Sequence, residues 1–181
     1  MTTDLMLEQW LAEEAAVLKN LQSGRGPGLA DPKEVMHLTG LQMMQGMQQG
    51  KLPYAYIGKT MDFHMIHVED GQAIFQGAPS VAHLNPMGTV HGGWYATLLD
   101  SAMGCAVHTK MPVGRGYTTA ELSVNLVRAI TPKVSRLRAI GTVVHCGRQL
   151  ATTEGRLVGP DGTLYAHATS TCLVFESKPK A

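Results

Sequence analysis

The sequence predicts an α+β fold, in the order helix, helix, β-hairpin, long helix and then four strands. Three observations carry that reading. Trp94, Leu98, Ala102 and Cys105 or Ala106 recur at spacings of three and four, the period of a buried helical face. Residues 117–128 alternate instead, with Leu122, Val124 and Leu126 on one side and Glu121, Ser123 and Asn125 on the other. The strands that follow have no helices between them, so the βα alternation of a nucleotide-binding sheet is missing.

The first element is an amphipathic helix over 4–21, with Leu7, Leu11, Ala15 and Leu18 as its apolar stripe. Ser23-Gly-Arg-Gly-Pro-Gly28 ends it as a flexible linker. A second helix starts near Asp31-Pro32, with Asp as cap and Pro as a good first residue. It carries Met36, Met43, Met44 and Met47 and is broken by Gly40; these methionines form an ordinary packing face or an adaptable lid over an acyl chain. Residues 63–78 read as a hairpin that turns at Glu69-Asp70-Gly71. His64 and His67, three apart on a strand, fall on opposite faces and make poor joint metal ligands, so no metal is expected.

After the long helix, Gly114-Arg-Gly116 marks a turn and Thr131-Pro132 closes the alternating strand. Three strands follow near 135–146, 148–158 and 163–175, the last two joined by Gly159-Pro-Asp-Gly162. Residues 1–55 thus form a helical extension and 56–177 the main domain.

A chain of 181 residues, 44% hydrophobic and 16% charged, has room for a sizeable single core. Its net charge of +1 gives no overall cue to nucleic acid or membrane, and the first segment is acidic, with Asp4, Glu8, Glu13, Glu14, Asp31 and Glu34 against Lys19, Arg25 and Lys33. Cys105, Cys146 and Cys172 are widely spaced, which suggests neither a disulfide framework nor a zinc site. No basic segment followed by an apolar one opens the sequence, so the cytoplasm is expected.

The chemistry concentrates between His83 and Val107. Turn residues Asn85-Pro86 and Gly88 lead to Gly92-Gly93, where the long helix should begin. The first N–H groups of a helix lack internal partners and lie at its positive end. Glycine lets a carbonyl oxygen approach the N–H of Gly92 or Gly93 and be polarised there; otherwise the pair only allows close packing on a sheet. Asp100 is the single carboxylate in this apolar helix, where burying a charge is costly unless it has a partner or a task. Eight residues separate Gly92 from Asp100, roughly 12 Å at about 1.5 Å per residue. One small reacting group cannot touch both, so a site that uses both must draw them from two antiparallel copies of the helix. The small neighbours Gly93, Ala96, Thr97 and Gly104 would let a partner come close.

The string His-x-Asn-Pro-x-Gly-x-x-His-Gly-Gly, with Leu-x-Asp-x-Ala placing Asp100 eight residues past Gly92, resembles the hotdog-fold acyl-CoA thioesterases. The closest branch is the phenylacetate-pathway family of the 4-hydroxybenzoyl-CoA thioesterase superfamily, and the likeness runs from about residue 60 to 175. It implies a long helix wrapped by an antiparallel sheet, and a homodimer, with a tetramer open, that hydrolyses an acyl- or aryl-CoA thioester at the subunit interface. No cofactor is required, because coenzyme A is part of the substrate. The Gly92 N–H would hold the thioester carbonyl, and Asp100 of the other subunit would act as general base or nucleophile. Asn85 would orient the water or the carbonyl, or else serve as a turn residue before Pro86. His91 would brace the loop, and Thr119 or its neighbour Thr118 would bind the water.

The coenzyme A end follows from charge. Lys110, Arg115, Arg128, Lys133, Arg136, Arg138, Arg148 and Arg156 face only Glu121 and Glu154 between residues 110 and 156. Guanidinium groups match phosphate geometry. His145-Cys-Gly-Arg148 resembles the family's loop at the nucleotide end, so Arg148, Gly147, Arg128 and Gly93 are the expected cofactor contacts. Two other classes use the same fold: an acyl-CoA dehydratase, which needs a further acid and His, and a non-catalytic acyl-CoA sensor, which would lose the acid.

Overall fold

A computed structural model describes residues 2–131 and 133–177. The helices are α1 (Thr3–Ser23), α2 (Pro32–Val35), α3 (Gly40–Gln48), α4 (Tyr56–Met61) and α5 (Gly92–Thr109). The strands are β1 (Phe63–Glu69), β2 (Gln72–Gly77), β3 (Arg115–Leu126), β4 (Leu137–Cys146), β5 (Leu150–Val158) and β6 (Leu164–Glu176). They make one antiparallel sheet in the order β1-β2-β4-β5-β6-β3, curled around α5. This is the hotdog arrangement expected from the sequence. The turn placed at Thr131-Pro132 falls partly outside the described residues, because Pro132 is not among them.

Helix α5 is the core. Trp94, Leu98, Leu99, Ala102, Met103, Ala106 and Val107 are all buried. The sheet comes close to it through three glycines on adjacent strands. A Cβ at Gly77 would meet Trp94 at 2.7 Å, one at Gly155 would meet the Met103 sulfur at 2.9 Å, and one at Gly141 would overlap the backbone of Ala102. Dense interiors do not tolerate such overlap, so each glycine fixes the helix-to-sheet distance.

The extension departs from several expectations. Helix α1 buries Trp10, Glu14, Val17 and Leu21, whereas Leu11 and Ala15 of the expected stripe are exposed. The face is chosen by charge: Glu14 accepts from Arg136 at 2.7 Å, Glu13 accepts from Arg138 at 2.6 Å, and the Arg138 guanidinium lies 4.3 Å from the centre of the Trp10 ring. These contacts seat α1 on the outer face of the sheet, where Gln76 also donates to the Trp10 carbonyl. The segment 23–28 is a bonded turn instead of a flexible linker. Gly26 takes φ 67°, and Pro27 pairs with Tyr54 through two backbone hydrogen bonds around it.

The expected second helix is split. One turn, α2, is capped by Asp31; α3 begins at Gly40 under a capping box made by Thr39 and Gln42. Gly40 therefore starts a helix where the sequence suggested a break. Helix α4 was not expected at all, since its six residues hold too little periodicity to read. The hairpin is where it was expected, but a bulge lies between Met65 and His67. His64 pairs with Gln76 and His67 with Ile74, which puts both histidines on the same outer face. The extra residue overturns the opposite-face expectation. The two do not form a ligand pair: His64 packs edge-on to Tyr54, and His67 lies 3.7 Å from Glu69.

Candidate active site

Loop 83–91 is built by its own polar side chains. Asn85 Oδ1 accepts from the N–H of Met87 at 2.8 Å and of Thr89 at 3.3 Å, and its Nδ2 donates to the Thr89 hydroxyl at 2.9 Å. Both ends of the amide are engaged in the turn, the local role that Asn commonly plays. Gly88 takes φ 80° within it. His91 caps α5, with Nδ1 accepting from the Gly93 N–H at 2.9 Å, so its other ring nitrogen carries the proton. The expected bracing role of His91 matches this contact. It also occupies the N–H of Gly93. Of the two glycines, only Gly92 keeps an N–H without a protein acceptor among the described residues. Its nearest side-chain neighbour is Leu126, at the end of β3.

Asp100 lies two turns further along α5, half-buried, and its Oδ1 accepts from the Thr119 hydroxyl at 3.0 Å. Thr118, the other candidate, is exposed on the opposite face of β3, paired with Leu173. The Asp100–Thr119 pair borders a cavity of about 260 Å³ between α5, β1 and the extension. Met44 and Met47 of α3, Ile57 of α4, Phe63 and Met65 of β1 and Phe75 of β2 supply its apolar wall. Asn85, His91 and Gly92 do not line it. Within one chain the carboxylate and the free helix N–H are thus apart, as the helix spacing requires.

Tyr117, two residues before Thr119 and on the same strand face, also borders the cavity. Sequence reasoning missed it, although the alternation of β3 points it to the Thr119 side. Its ring stands edge-on to His108, and its hydroxyl lies 2.7 Å from where a Cβ at Gly104 would be. Gly104 is therefore covered by its own chain and is not part of a small surface facing a partner. Burial, followed by the nearby Cys105, Cys172 and Asp100, holds the Tyr117 phenol well above its usual range, so it remains a proton-bearing donor. Burial and then Asp100 push the Cys105 thiol up to about 12. Cys105 is therefore a neutral wall residue, not a nucleophile.

The basic cluster is smaller than its composition suggests. Lys110 pairs with Asp70 at 2.7 Å, and Arg136 and Arg138 are committed to α1. Arg128, Arg148 and Arg156 are exposed and have no carboxylate partner among the described residues. Arg148 sits at the β4–β5 turn, where its carbonyl accepts from the Arg115 guanidinium at the start of β3. The Gly147 N–H is bonded to the Leu150 carbonyl at 2.8 Å and closes this turn. Among the described residues no group of three His, Cys, Asp or Glu side chains could hold a metal ion, and no helix is long and apolar enough to cross a membrane.

Comparison with known proteins bears on this arrangement. The family model described as thioesterase superfamily matches residues 87–166, which include the Gly92–Asp100 helix and Thr119. A phenylacetic acid degradation protein, PaaI, of Thermus thermophilus superposes with a TM-score of 0.59 at 26% identity, over 65% of this chain and 97% of its own. A phenylacetic acid degradation-related protein of Ralstonia eutropha gives 0.66 at 25% identity, over 75% and 99%. A protein of Halobacterium salinarum, provisionally named an esterase, is 37% identical over 84 residues, 45% of this chain. The chain spans about half the length, 54%, of that relative. Residues 87–166 are thus similar to the thioesterase superfamily, and the fold around them is the hotdog arrangement of these solved structures.

Proposed function

We propose that the protein hydrolyses coenzyme A thioesters, in a homodimer whose sites each combine Asp100 and Thr119 of one subunit with Gly92 of the other. The observation that carries this reading is the placement of one hydroxyl-tethered carboxylate at the border of an apolar cavity, two helical turns from one free helix N–H. The thioester carbonyl accepts from the Gly92 N–H, where the helix dipole favours the negative charge that develops on oxygen. Thr119 fixes one carboxylate oxygen of Asp100 and leaves the other to take a proton from water or to attack the carbonyl itself. With water as nucleophile, the oxygen bonds to the carbonyl carbon, the C–S bond breaks and the proton taken by Asp100 passes to the departing coenzyme A thiolate. With Asp100 as nucleophile, the thiolate leaves from a mixed anhydride. Water then hydrolyses that anhydride to the free acid and the regenerated carboxylate, supplying the proton for the thiol.

The free edge of β3 supports the dimer. Among the described residues this strand of 12 residues pairs only with β6, and Leu126 and Val127 at its end are about half exposed (52% and 53%). A long unpaired edge calls for a cover, and a second β3 related by a two-fold axis would supply one. It would also bring another chain beside Gly92, which Leu126 flanks. The sensor reading is disfavoured by the retained and tethered Asp100.

A panel of short, medium, long and aryl CoA thioesters with a thiol-detecting reagent tests the activity. Asp100→Asn keeps the shape but removes base and nucleophile, so turnover on the best substrate should drop by about two to four orders of magnitude with the fold intact. A well-folded Asp100→Asn protein that turns over near the wild-type rate would overturn the assignment.

A further inference from the structure

We infer that the N-terminal extension builds the acyl pocket in the same chain as Asp100, and that this pocket selects an uncharged acyl group of medium length. The inference rests on the thioesterase reading for the place of the thioester, but the cavity itself is a feature of the single chain. Asp100, Ser101 and Thr119 line it together with Ile57 and Tyr54, so the group attached to a carbonyl beside Asp100 has this cavity to enter. Both walls are needed: the core side offers Phe63, Met65 and Phe75, and the extension closes it with Met44 and Met47.

Size and charge define the occupant. At about 30 Å³ for each water-sized group, a cavity of about 260 Å³ takes roughly nine heavy atoms, the scale of an octanoyl chain. An acetyl group would leave most of this apolar wall uncovered. The lining includes neither Lys nor Arg, its one carboxylate is Asp100, and its one histidine, His64, is held below the usual imidazole range by burial and so favours the neutral form. An acyl group ending in a carboxylate would bury an unpaired anion in the same cavity as Asp100, an arrangement that low-dielectric surroundings penalise heavily. Met47 is the wall residue of the extension whose size tests the depth. It is half-buried, it sits on α3 above the core, and its unbranched thioether adapts to the occupant.

The test compares kcat/KM for acetyl-, octanoyl- and palmitoyl-CoA and for the CoA monothioester of octanedioic acid, with wild type, Met47→Trp and Met47→Ala. Wild type should prefer octanoyl over acetyl, and over the carboxylate-ended acyl, by at least about tenfold each. Met47→Trp should lower the octanoyl-to-acetyl ratio by about tenfold, and Met47→Ala should raise the palmitoyl-to-octanoyl ratio. Calorimetry with octanamide, an uncharged probe, reads the pocket without turnover: wild type should bind it and Met47→Trp should not. Absence of turnover on every thioester, with octanamide binding kept, would sink the thioesterase reading alone. Length ratios unmoved by both Met47 variants, or octanamide binding unchanged in a folded Met47→Trp protein, would overturn the pocket.

Discussion

At the scale of single residues, hydrogen bonding decides which polar groups near α5 are available for chemistry. Asn85, His91 and Gly93 satisfy one another's loop and cap, and Gly147 closes its own hairpin. Gly92, Asp100 and Arg148 are left with unused capacity, and they differ in what they face. Arg148, at the β4–β5 turn, is held against Arg115 at the start of β3. Arg115 lies four residues before Thr119, or about 13 Å along the strand at roughly 3.3 Å per residue. If its guanidinium holds a coenzyme A phosphate, Arg148→Ala should raise KM for CoA thioesters about tenfold, while a short thioester lacking the nucleotide is hydrolysed as before. Equal losses on both substrates would make the residue structural. Sequence placed Asp100 and Gly92 correctly on one helix because the 3.6 period and the glycine pair are local signals. The turn role of Asn85 is one of its two local readings, but local signals do not report that three of the eight basic residues between 110 and 156 already have acids. Those partners sit up to 125 residues away.

At the scale of elements, the seam between α3 and α5 holds the extension over the cavity. The Gly40 N–H donates to the Met111 carbonyl at 2.9 Å just past α5, and a Cβ at Gly40 would overlap the His108 carbonyl. His108 itself packs against Met43 and Tyr117. Gly40→Ala forces α3 away from backbone that cannot yield, at a cost of about 3 kcal/mol, the upper part of the overpacking range. For a domain of this size that corresponds to a melting point about 6–12 °C lower. Gln45→Ala, exposed on the same helix, should melt like wild type. A Gly40→Ala protein within about 2 °C of wild type would show that the seam is not fixed by this contact. The strands were legible because alternation and turn glycines mark them one by one. The buried face of α1 and the existence of α4 were not: both are set by tertiary partners, Arg136 and Arg138 for the first and the rim of the cavity for the second.

At the scale of the whole molecule, a site shared between two subunits has a consequence that helix geometry makes testable. Asp100→Asn lacks the carboxylate, and Gly92→Pro lacks the N–H that would polarise the carbonyl. The proline suits its position. Gly92 is the first residue of α5, where the missing N–H breaks no intrahelical bond, and His91 before it has φ −62° and ψ 138°, the extended region that a following proline demands. The neighbour that a new side chain would meet is the flexible tip of Leu126, which is free to move aside. Both variants should therefore fold and, on light scattering, form dimers of twice 19.5 kDa. Each homodimer should be inactive. In a mixed dimer one interface site inherits both defects and the other inherits neither, so mixing and re-associating the two proteins should restore about half of the wild-type activity per mixed dimer. If each site were built within one chain, every site in the mixture would keep a defect. Well-folded mixed dimers that remain inactive would then leave Asp100 and the acyl cavity in place but remove Gly92 of the second subunit from the reaction.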